Sequence, residues 1–176
     1  MKVQLDFLKE DKNKDNFKYA QFTSPLGDMF SISDDCFLYS LNFIDTLLPQ
    51  QQEVLDNLNK TCSKINQQVQ EELALYFKGE LKKLTVKTFL NGTIFQKKAW
   101  QYLQNIPYGE IKTYADQSTE IHSKKAVRAV GNANGRNQMA IVIPCHRIVM
   151  TSGELGGYAG GVIRKKWLID HEKKYK

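Results

Sequence analysis

Hydrophobic and polar residues alternate in the first part of the chain in a way that predicts a small antiparallel sheet. Residues 17–24 and 28–33 each have the two-residue periodicity of a strand, and residues 25–27 between them predict a turn. Residues 36–44 follow two aspartates and predict a third strand. At residues 47–51, which contain a proline, the pattern breaks. A short β-meander is therefore expected.

The following residues change to the periodicity of a helix. Between residues 61 and 78, apolar side chains recur every four positions: Ile65, Val69, Leu73 and Phe77. Gly79 stands where a glycine commonly ends a helix. Residues 81–89 predict either a further strand or an extended linker. We set a domain boundary near residue 88.

The second half of the chain has helical periodicity with tight loops. Thr93 and Gln96 form a T-x-x-Q capping box, which opens a helix. One side of this helix carries apolar side chains: Phe95, Ala99, Trp100 and Leu103. Pro107 and Gly109 predict the turn that ends it, and a short second helix is expected to start near Thr113.

A third helix is predicted over residues 124–134, with Ser123 as its cap. Its buried stripe is expected to be Ala126, Val127 and Val130. Two short helices joined by a tight connection, the second one basic, are typical of a helix-turn-helix. The second of them also contains small residues: Ala126, Ala129, Gly131 and Ala133. Small side chains allow close approach either to a neighbouring helix or to a DNA groove.

Together these elements predict an α+β fold with two domains. Residues 1–88 form a small N-terminal α/β domain with a β-meander and a helix. Residues 89–176 form a mainly helical domain. A length of 176 residues suits one domain or two small ones.

Charge is distributed unevenly between the two halves. The net charge is +6, yet residues 1–88 hold 11 Lys/Arg against 13 Asp/Glu. The whole positive excess therefore lies in the second half. A basic domain favours a polyanionic partner, with nucleic acid as the first candidate. A merely solubilising surface is the alternative.

The chain has three cysteines, an odd number at wide spacing, which argues against a disulfide framework and favours a reducing compartment. We expect an intracellular, cytoplasmic protein, because no apolar signal core opens the chain and no apolar run could cross a membrane. No CxxC or HxxxH pair occurs, and no histidine precedes His122. Neither a metal nor another cofactor is expected.

Candidate chemistry centres on the segment IVIPCHRIV, residues 141–149. A lone cysteine in such an apolar setting is commonly buried and inert. Here, however, Pro144 is expected to stop a buried strand, and His146 and Arg147 follow Cys145 directly. Cationic neighbours lower the pKa of a thiol, so a reactive Cys145 is predicted. Glu172 is the favoured carboxylate for orienting the imidazole, with Asp170 as the alternative.

A glycine-rich segment follows the cysteine. Four glycines, Gly156, Gly157, Gly160 and Gly161, surround Tyr158. Such a loop either is a flexible surface connection or allows close approach of a ligand. A tyrosine so near a candidate nucleophile favours a pocket wall. The last residues, 162–172, predict an amphipathic helix with Trp167 and Leu168 in the core.

These motifs resemble the methylated-DNA–protein-cysteine methyltransferases, also called O6-alkylguanine-DNA alkyltransferases. The resemblance covers roughly residues 89–174 and rests on PYGE with a following tyrosine, on RAVG, on PCHR and on GGYAGG. The first 88 residues fit the variable N-terminal domain of that family only in outline. The resemblance implies a ribonuclease H-like N-terminal domain and a winged-helix-like C-terminal domain with a helix-turn-helix.

The resemblance also implies an activity, namely irreversible transfer of an alkyl group from O6-alkylguanine in duplex DNA to the protein's own cysteine. O4-methylthymine is a further possible substrate. By position, Cys145 is the acceptor, His146 the base acting through a water, and Glu172 the group that orients it. Asn137 ties the helix-turn-helix to the active-site segment, and Tyr114 aids base flipping and donates to the departing guanine.

Further residues are carried over for DNA and for the base. Arg128 enters the base stack, in a minor-groove complex formed by a monomer. The other expected DNA-binding residues are Ala126, Ala129, Tyr114, Ser123, Lys124, Lys125 and Gly131. The expected base pocket consists of Ile148, Met150, Gly156, Tyr158, Ala159 and Gly160. Where some relatives have serine after the lid tyrosine, this chain has Ala159, which predicts an altered preference among alkyl groups.

Two other functions are compatible with parts of this pattern. A lesion sensor would use the same helix pair without chemistry, but such relatives replace the cysteine that this chain keeps. A Cys–His hydrolase or acyltransferase would need the Cys–His pair, but it has no use for Arg128 or the small-residue basic helix.

Overall fold

The computed structural model describes residues 5, 8, 16–122 and 126–176. It has a mixed α+β fold whose contacts divide the chain into two units, Lys2–Asn91 and Gly92–Lys176. This division lies a few residues after the boundary predicted near residue 88. No helix in the described ranges is long and apolar enough to span a membrane.

The first unit is built on a three-stranded antiparallel meander in the order β1-β2-β3. The strands are β1 (Lys18–Ser24), β2 (Gly27–Ser33) and β3 (Leu38–Phe43). The predicted strands and turn are confirmed. Residues 29–33 of the central strand are buried on both faces. One side of the sheet packs into a hydrophobic core made of Leu5, Leu8, Phe17, Tyr19, Phe30, Ile32, Leu55 and Leu58.

A short 3-10 helix (Ile44–Thr46) and two α-helices follow the meander. Helix α1 (Pro49–Asp56) lies where the sequence indicated only a break. Its proline is compatible with a helix because it occupies the first turn, where the backbone N–H is not needed as a donor. Helix α2 (Lys64–Lys78) begins after Ser63, whose hydroxyl accepts from Asn66 N–H at 2.9 Å, and ends at Gly79 with φ of 80°.

The buried face of α2 differs slightly from the predicted one. It consists of Asn66, Val69, Leu73 and Tyr76, whereas Ile65 and Phe77 are half-buried. Residues 81–89 form no regular strand: they bend at residues 82–83 and make a parallel bridge between Leu38 and Thr88. They therefore act mainly as a linker.

The second unit contains four α-helices, one short 3-10 turn and one short strand pair within its described residues. The helices are α3 (Ile94–Gln104), α4 (Tyr114–Glu120), α5 (Val127–Gly135) and α6 (Val162–Lys174). Strands β4 (Lys112–Thr113) and β5 (Ile148–Val149) pair in parallel.

The starts of α3 and α4 are fixed by reciprocal caps. Thr93 N–H donates to the side chain of Gln96 at 2.8 Å, and Thr113 N–H donates to Asp116 at 2.8 Å. Both helix starts agree with the sequence. Helix α5 instead begins at Val127 with Ala126 as its N-cap residue, not the predicted Ser123, which lies outside the described residues.

Candidate active site

Cys145 opens a short 3-10 turn, Cys145–Arg147, directly after Pro144. The predicted buried strand before the proline is absent, since residues 140–142 form a turn. The N–H of Ile143 closes this turn by donating to the C=O of Met139 at 3.0 Å. Within it, Ile141 has a φ of 70°, which a β-branched residue seldom adopts. The backbone leading to the thiol is therefore held in an uncommon conformation.

Asn137 connects this turn to the thiol. Its side-chain N–H donates to Ile143 C=O at 2.8 Å and to Cys145 Sγ at 3.2 Å. Its Oδ1 accepts from Met139 N–H at 3.0 Å. One buried amide thus fixes both the strained turn and the sulfur, only two residues after helix α5 ends.

The thiol is protonated at rest. Burial raises the pKa of Cys145, and this effect outweighs the opposing effects of the Asn137 N–H and of the positive charge on Lys165. The expectation that His146 and Arg147 lower the pKa of the thiol is therefore wrong. The side chains of these two residues interact with a carboxylate instead.

His146 and Glu172 form a fully buried pair, with His146 Nε2 2.9 Å from Glu172 Oε1. Asp170, the alternative, lies at the surface and pairs with Lys166 at 2.5 Å. Burial lowers the pKa of His146 despite the neighbouring carboxylate, so the ring is neutral and donates through Nε2. Its Nδ1 is buried and makes no hydrogen bond with any described residue. The free lone pair therefore belongs to Nδ1.

Arg147 and Gly109 also contact Glu172. Arg147 Nε and Nη2 donate to the two carboxylate oxygens at 2.8 and 2.9 Å, and Gly109 N–H donates at 3.1 Å. Burial raises the pKa of Glu172, but the bonds from His146 and Arg147 outweigh it and hold that pKa well below its usual range. Gly109 has a φ of 73°, and a Cβ there would lie 2.9 Å from Glu172 C=O.

The pairing of β4 with β5 brings Tyr114 beside the segment after the cysteine. Because the register aligns Thr113 with Val149, the next residues, Tyr114 and Met150, are also neighbours. Tyr114 donates its O–H to Gly157 C=O at 3.4 Å. A Cβ on Gly156 would lie 3.2 Å from the Tyr114 ring and 3.4 Å from Met150 Cγ, so this glycine permits a close approach of loop and ring.

Tyr158 is the aromatic residue of the expected pocket. This side chain is buried, and its ring lies edge-on to His146 with the centroids 6.4 Å apart. Its hydroxyl makes no hydrogen bond with any described residue. Burial raises the pKa of Tyr158 well above its usual value. Ile148 and Gly160 are buried, and Ala159 is half-buried.

Lys165 is a residue that the sequence analysis missed. It lies on α6 in the charged run RKK, which is typical of a solvated face, yet it is fully buried. Its Nζ donates to Gly157 C=O at 3.3 Å and lies 5.7 Å from the centroid of the Tyr114 ring. Burial lowers the pKa of Lys165 to about 8. No described carboxylate lies within ion-pair distance of it.

The first residues of helix α5 are exposed and its last residues are buried. Arg128 and Ala129 are exposed, Ala126 and Gly131 are half-buried, and a Cβ on Gly131 would lie 3.8 Å from the Tyr114 ring. Val127, expected in the core, is 41% exposed. The buried positions are Val130, Ala133, Asn134 and Gly135. The predicted DNA-binding residues Ser123, Lys124 and Lys125 lie outside the described residues.

Fold and site together define a class of protein with a buried cysteine as its candidate nucleophile. A mainly helical unit holds a free, buried thiol beside a His–Glu–Arg cluster, and a glycine-rich loop and a helix with an exposed arginine lie near it. Among the described residues, no group of three or more His, Cys, Asp or Glu side chains could hold a metal ion.

Comparisons with known proteins agree with this class. A family model described as the DNA-binding domain of 6-O-methylguanine DNA methyltransferase matches residues 94–174. A methylated-DNA–protein-cysteine methyltransferase of Methanosarcina acetivorans is 40% identical over 88% of this chain and 97% of the relative. One from Mycolicibacterium paratuberculosis is 37% identical over 90% of this chain and 93% of the relative.

Solved structures give the same result. The structure of Mycobacterium tuberculosis OGT in complex with DNA has a TM-score of 0.81 and 34% identity, covering 90% of this chain and 94% of that one. The structure of the O6-methylguanine methyltransferase of the same organism has a TM-score of 0.83 and 34% identity, and it covers 91% of this chain and 94% of that one. The chain belongs to the methylated-DNA–protein-cysteine methyltransferase family.

Proposed function

We propose that the protein repairs DNA by transferring the alkyl group of an O6-alkylguanine irreversibly to its own Cys145, once per molecule. Family membership supports the activity. The observation that carries the assignment of the acceptor is the buried Cys145 thiol, held by Asn137 at 3.2 Å and adjacent in sequence to a neutral His146. Cys36 and Cys62 are also free, but both are exposed.

The reaction begins with removal of the thiol proton. Because Cys145 is protonated at rest, it needs a base, and the lone pair of His146 Nδ1 is suited to that role. Nδ1 makes no hydrogen bond to the sulfur, so the proton passes through a bridging water. Glu172 accepts from Nε2 and stabilises the resulting imidazolium.

The thiolate then attacks the alkyl carbon in one displacement. The S–C bond forms, the C–O6 bond breaks, and the electron pair leaves on guanine. Tyr114 is suited to donate a proton or hydrogen bond to this anion, since its hydroxyl lies at the glycine-rich loop and burial raises its pKa. The thioether does not hydrolyse readily, so each molecule acts once.

Duplex DNA is the proposed partner, bound through the minor groove by a monomer. A base in the stack cannot reach a buried sulfur, so the alkylated guanine must be flipped out at a cost of a few kcal/mol. The exposed Arg128 on α5 is suited to fill the space it leaves. Ala126, Ala129 and Gly131 allow the close approach, and Ser123, Lys124 and Lys125 are proposed phosphate contacts.

The pocket for the flipped base is proposed to consist of Ile148, Met150, Gly156, Tyr158, Ala159 and Gly160. Repair of O4-methylthymine is proposed as an extension of the same chemistry. The finer fold assignment, a ribonuclease H-like first unit and a winged-helix-like second unit with a helix-turn-helix formed by α4 and α5, is also a proposal. Three cysteines without disulfides support a cytoplasmic location.

Mass spectrometry tests the acceptor directly. After incubation with a duplex oligonucleotide that contains one O6-methylguanine, the peptide with Cys145 should carry one methyl group. Cys145→Ala should abolish this adduct and retain most of the binding to DNA. An unmodified protein, or methylation confined to Cys36 or Cys62, would overturn the proposal.

The role of Arg128 in base flipping needs a second comparison. Arg128→Ala should slow the transfer more on duplex than on single-stranded oligonucleotide, because only the duplex must lose a stacked base. Equal slowing on both substrates would show that Arg128 has a different role.

A further inference from the structure

Two buried amide side chains form a reciprocal pair between helices α4 and α5. Asn134 Nδ2 donates to Gln117 Oε1 at 2.7 Å, and Gln117 Nε2 donates back to Asn134 Oδ1 at 3.1 Å. Gln117 Nε2 also donates to Ala99 C=O on α3 at 3.0 Å. Gln117 is completely buried, and Asn134 is 4% exposed. Both donor hydrogens and the acceptor of Gln117 are therefore used.

Such a pair fixes geometry more tightly than apolar packing does. An apolar contact tolerates sliding of one helix over another, whereas opposed amides keep their hydrogen bonds in essentially one register. Any slip would leave polar atoms buried without partners, which is costly. The pair therefore defines one position of α5 relative to α4 and α3.

This position matters because α5 connects the exposed arginine to the thiol. Arg128 lies six residues before Asn134, about 9 Å along the helix at 1.5 Å per residue. Asn137, which holds the Cys145 sulfur, lies three residues after Asn134. Tyr114 stands at the start of α4, three residues before Gln117 on the same helix. The amide pair thus lies between the proposed DNA contact and the acceptor.

We propose that Gln117 and Asn134 are positioning residues that align Arg128 and Tyr114 with Cys145 when the protein acts on duplex DNA. This inference rests on the proposed function. Neither side chain touches the thiol, so the pair acts through the placement of α5. Its effect should therefore be large for a substrate that must be flipped out of a duplex and small for a free base.

The experiment compares single-turnover labelling of Cys145 by two probes, a duplex that contains O6-methylguanine and the free base O6-benzylguanine. Gln117→Leu should slow transfer from the duplex about tenfold and from the free base less than about twofold. The double variant Gln117→Leu/Asn134→Leu leaves neither amide unpaired and should regain thermal stability, but not the duplex rate. It also serves as the test protein if the single variant fails to fold.

Gln96→Leu is the matched control, since it removes a buried glutamine that caps α3 outside the helix pair. It should lower stability and change the two rates equally. The inference is overturned if Gln117→Leu slows both probes equally, or if the double variant recovers the duplex rate. Failure of both probes to label Cys145 in the unsubstituted protein would instead overturn the proposed function.

Discussion

Replacing Arg147 by methionine tests whether the buried carboxylate of Glu172 depends on its ion pair. Arg147 donates to both carboxylate oxygens at 2.8 and 2.9 Å and to Ile106 C=O at 2.6 Å. Its side chain is 9% exposed and that of Glu172 is 1% exposed, so solvent cannot replace these contacts. Arg147→Met therefore leaves a buried negative charge without its cation.

The expected loss follows from that burial. Removing one partner of a buried ion pair costs about 3–5 kcal/mol, a large share of the roughly 5–15 kcal/mol that stabilises an ordinary domain. Urea unfolding should show a loss of about 4 kcal/mol at neutral pH. Arg147→Met/Glu172→Gln, which removes both charges, should lose less than Arg147→Met alone. A single variant within about 1 kcal/mol of the unsubstituted protein, or additive losses in the double variant, would refute the reasoning.

The pH dependence provides a second check. The pKa of Glu172 is well below its usual range, so its pair contributes stability fully above the unfolded-state pKa of about 4.3. That contribution is lost as the pH falls below this value. The difference between Arg147→Met and the unsubstituted protein should therefore shrink on acidification. The charge of Arg147 lowers the pKa of His146, so Arg147→Met should raise that pKa. On acidification, the variant should therefore begin to lose transfer activity at a higher pH than the unsubstituted protein, because its base is protonated earlier.

Three further substitutions have defined outcomes. Asn137→Ala removes the N–H donor to sulfur and the cap of the strained turn, so single-turnover transfer should fall about a hundredfold and urea unfolding should show a loss of about 2 kcal/mol. Lys165→Met removes a buried cation whose pKa is lowered to about 8; thermal unfolding should therefore show equal or greater stability at pH values below that, where the ammonium is disfavoured. In the same variant the rise of transfer rate with pH should shift to higher pH, because the ammonium lowers the pKa of the thiol. An unchanged pH profile would rule out this coupling. Ala159→Ser adds a hydroxyl at the proposed pocket and should change the ratio of rates on methyl- and larger-alkyl-guanine duplexes; equal ratios would refute the predicted preference.

Local features of the fold could be predicted because their determinants are close in sequence. The Thr93–Gln96 cap and the glycine end of α2 each depend on residues a few positions apart. Helix α1 was missed because a proline at a first turn looks like an interruption. Val127 was assigned to the core from periodicity, but α5 begins only at that residue, so the buried stripe lies one turn later.

The electrostatics of the site could not be predicted for a different reason. Arg147 meets Glu172 across 25 residues, and Gly109 meets it across 63. Burial of Lys165 depends on how α6 packs, and its sequence neighbours Arg164 and Lys166 give no sign of it. The chemical types near Cys145 were recognisable from sequence, whereas the effect of each charge on the thiol depends on long-range packing.

The two buried cations of this site have separate effects, and the separation explains how the thiol is controlled. Burial keeps His146 neutral and able to accept a proton, and the charge of Arg147, which balances that of Glu172, acts in the same direction. The charge of Lys165 lowers the pKa of the thiol, but this effect is weaker than that of burial. The sulfur is therefore protonated until a base removes its proton. For a protein that is consumed by its own reaction, a nucleophile that ionises during transfer is less exposed to unproductive alkylation than a permanent thiolate.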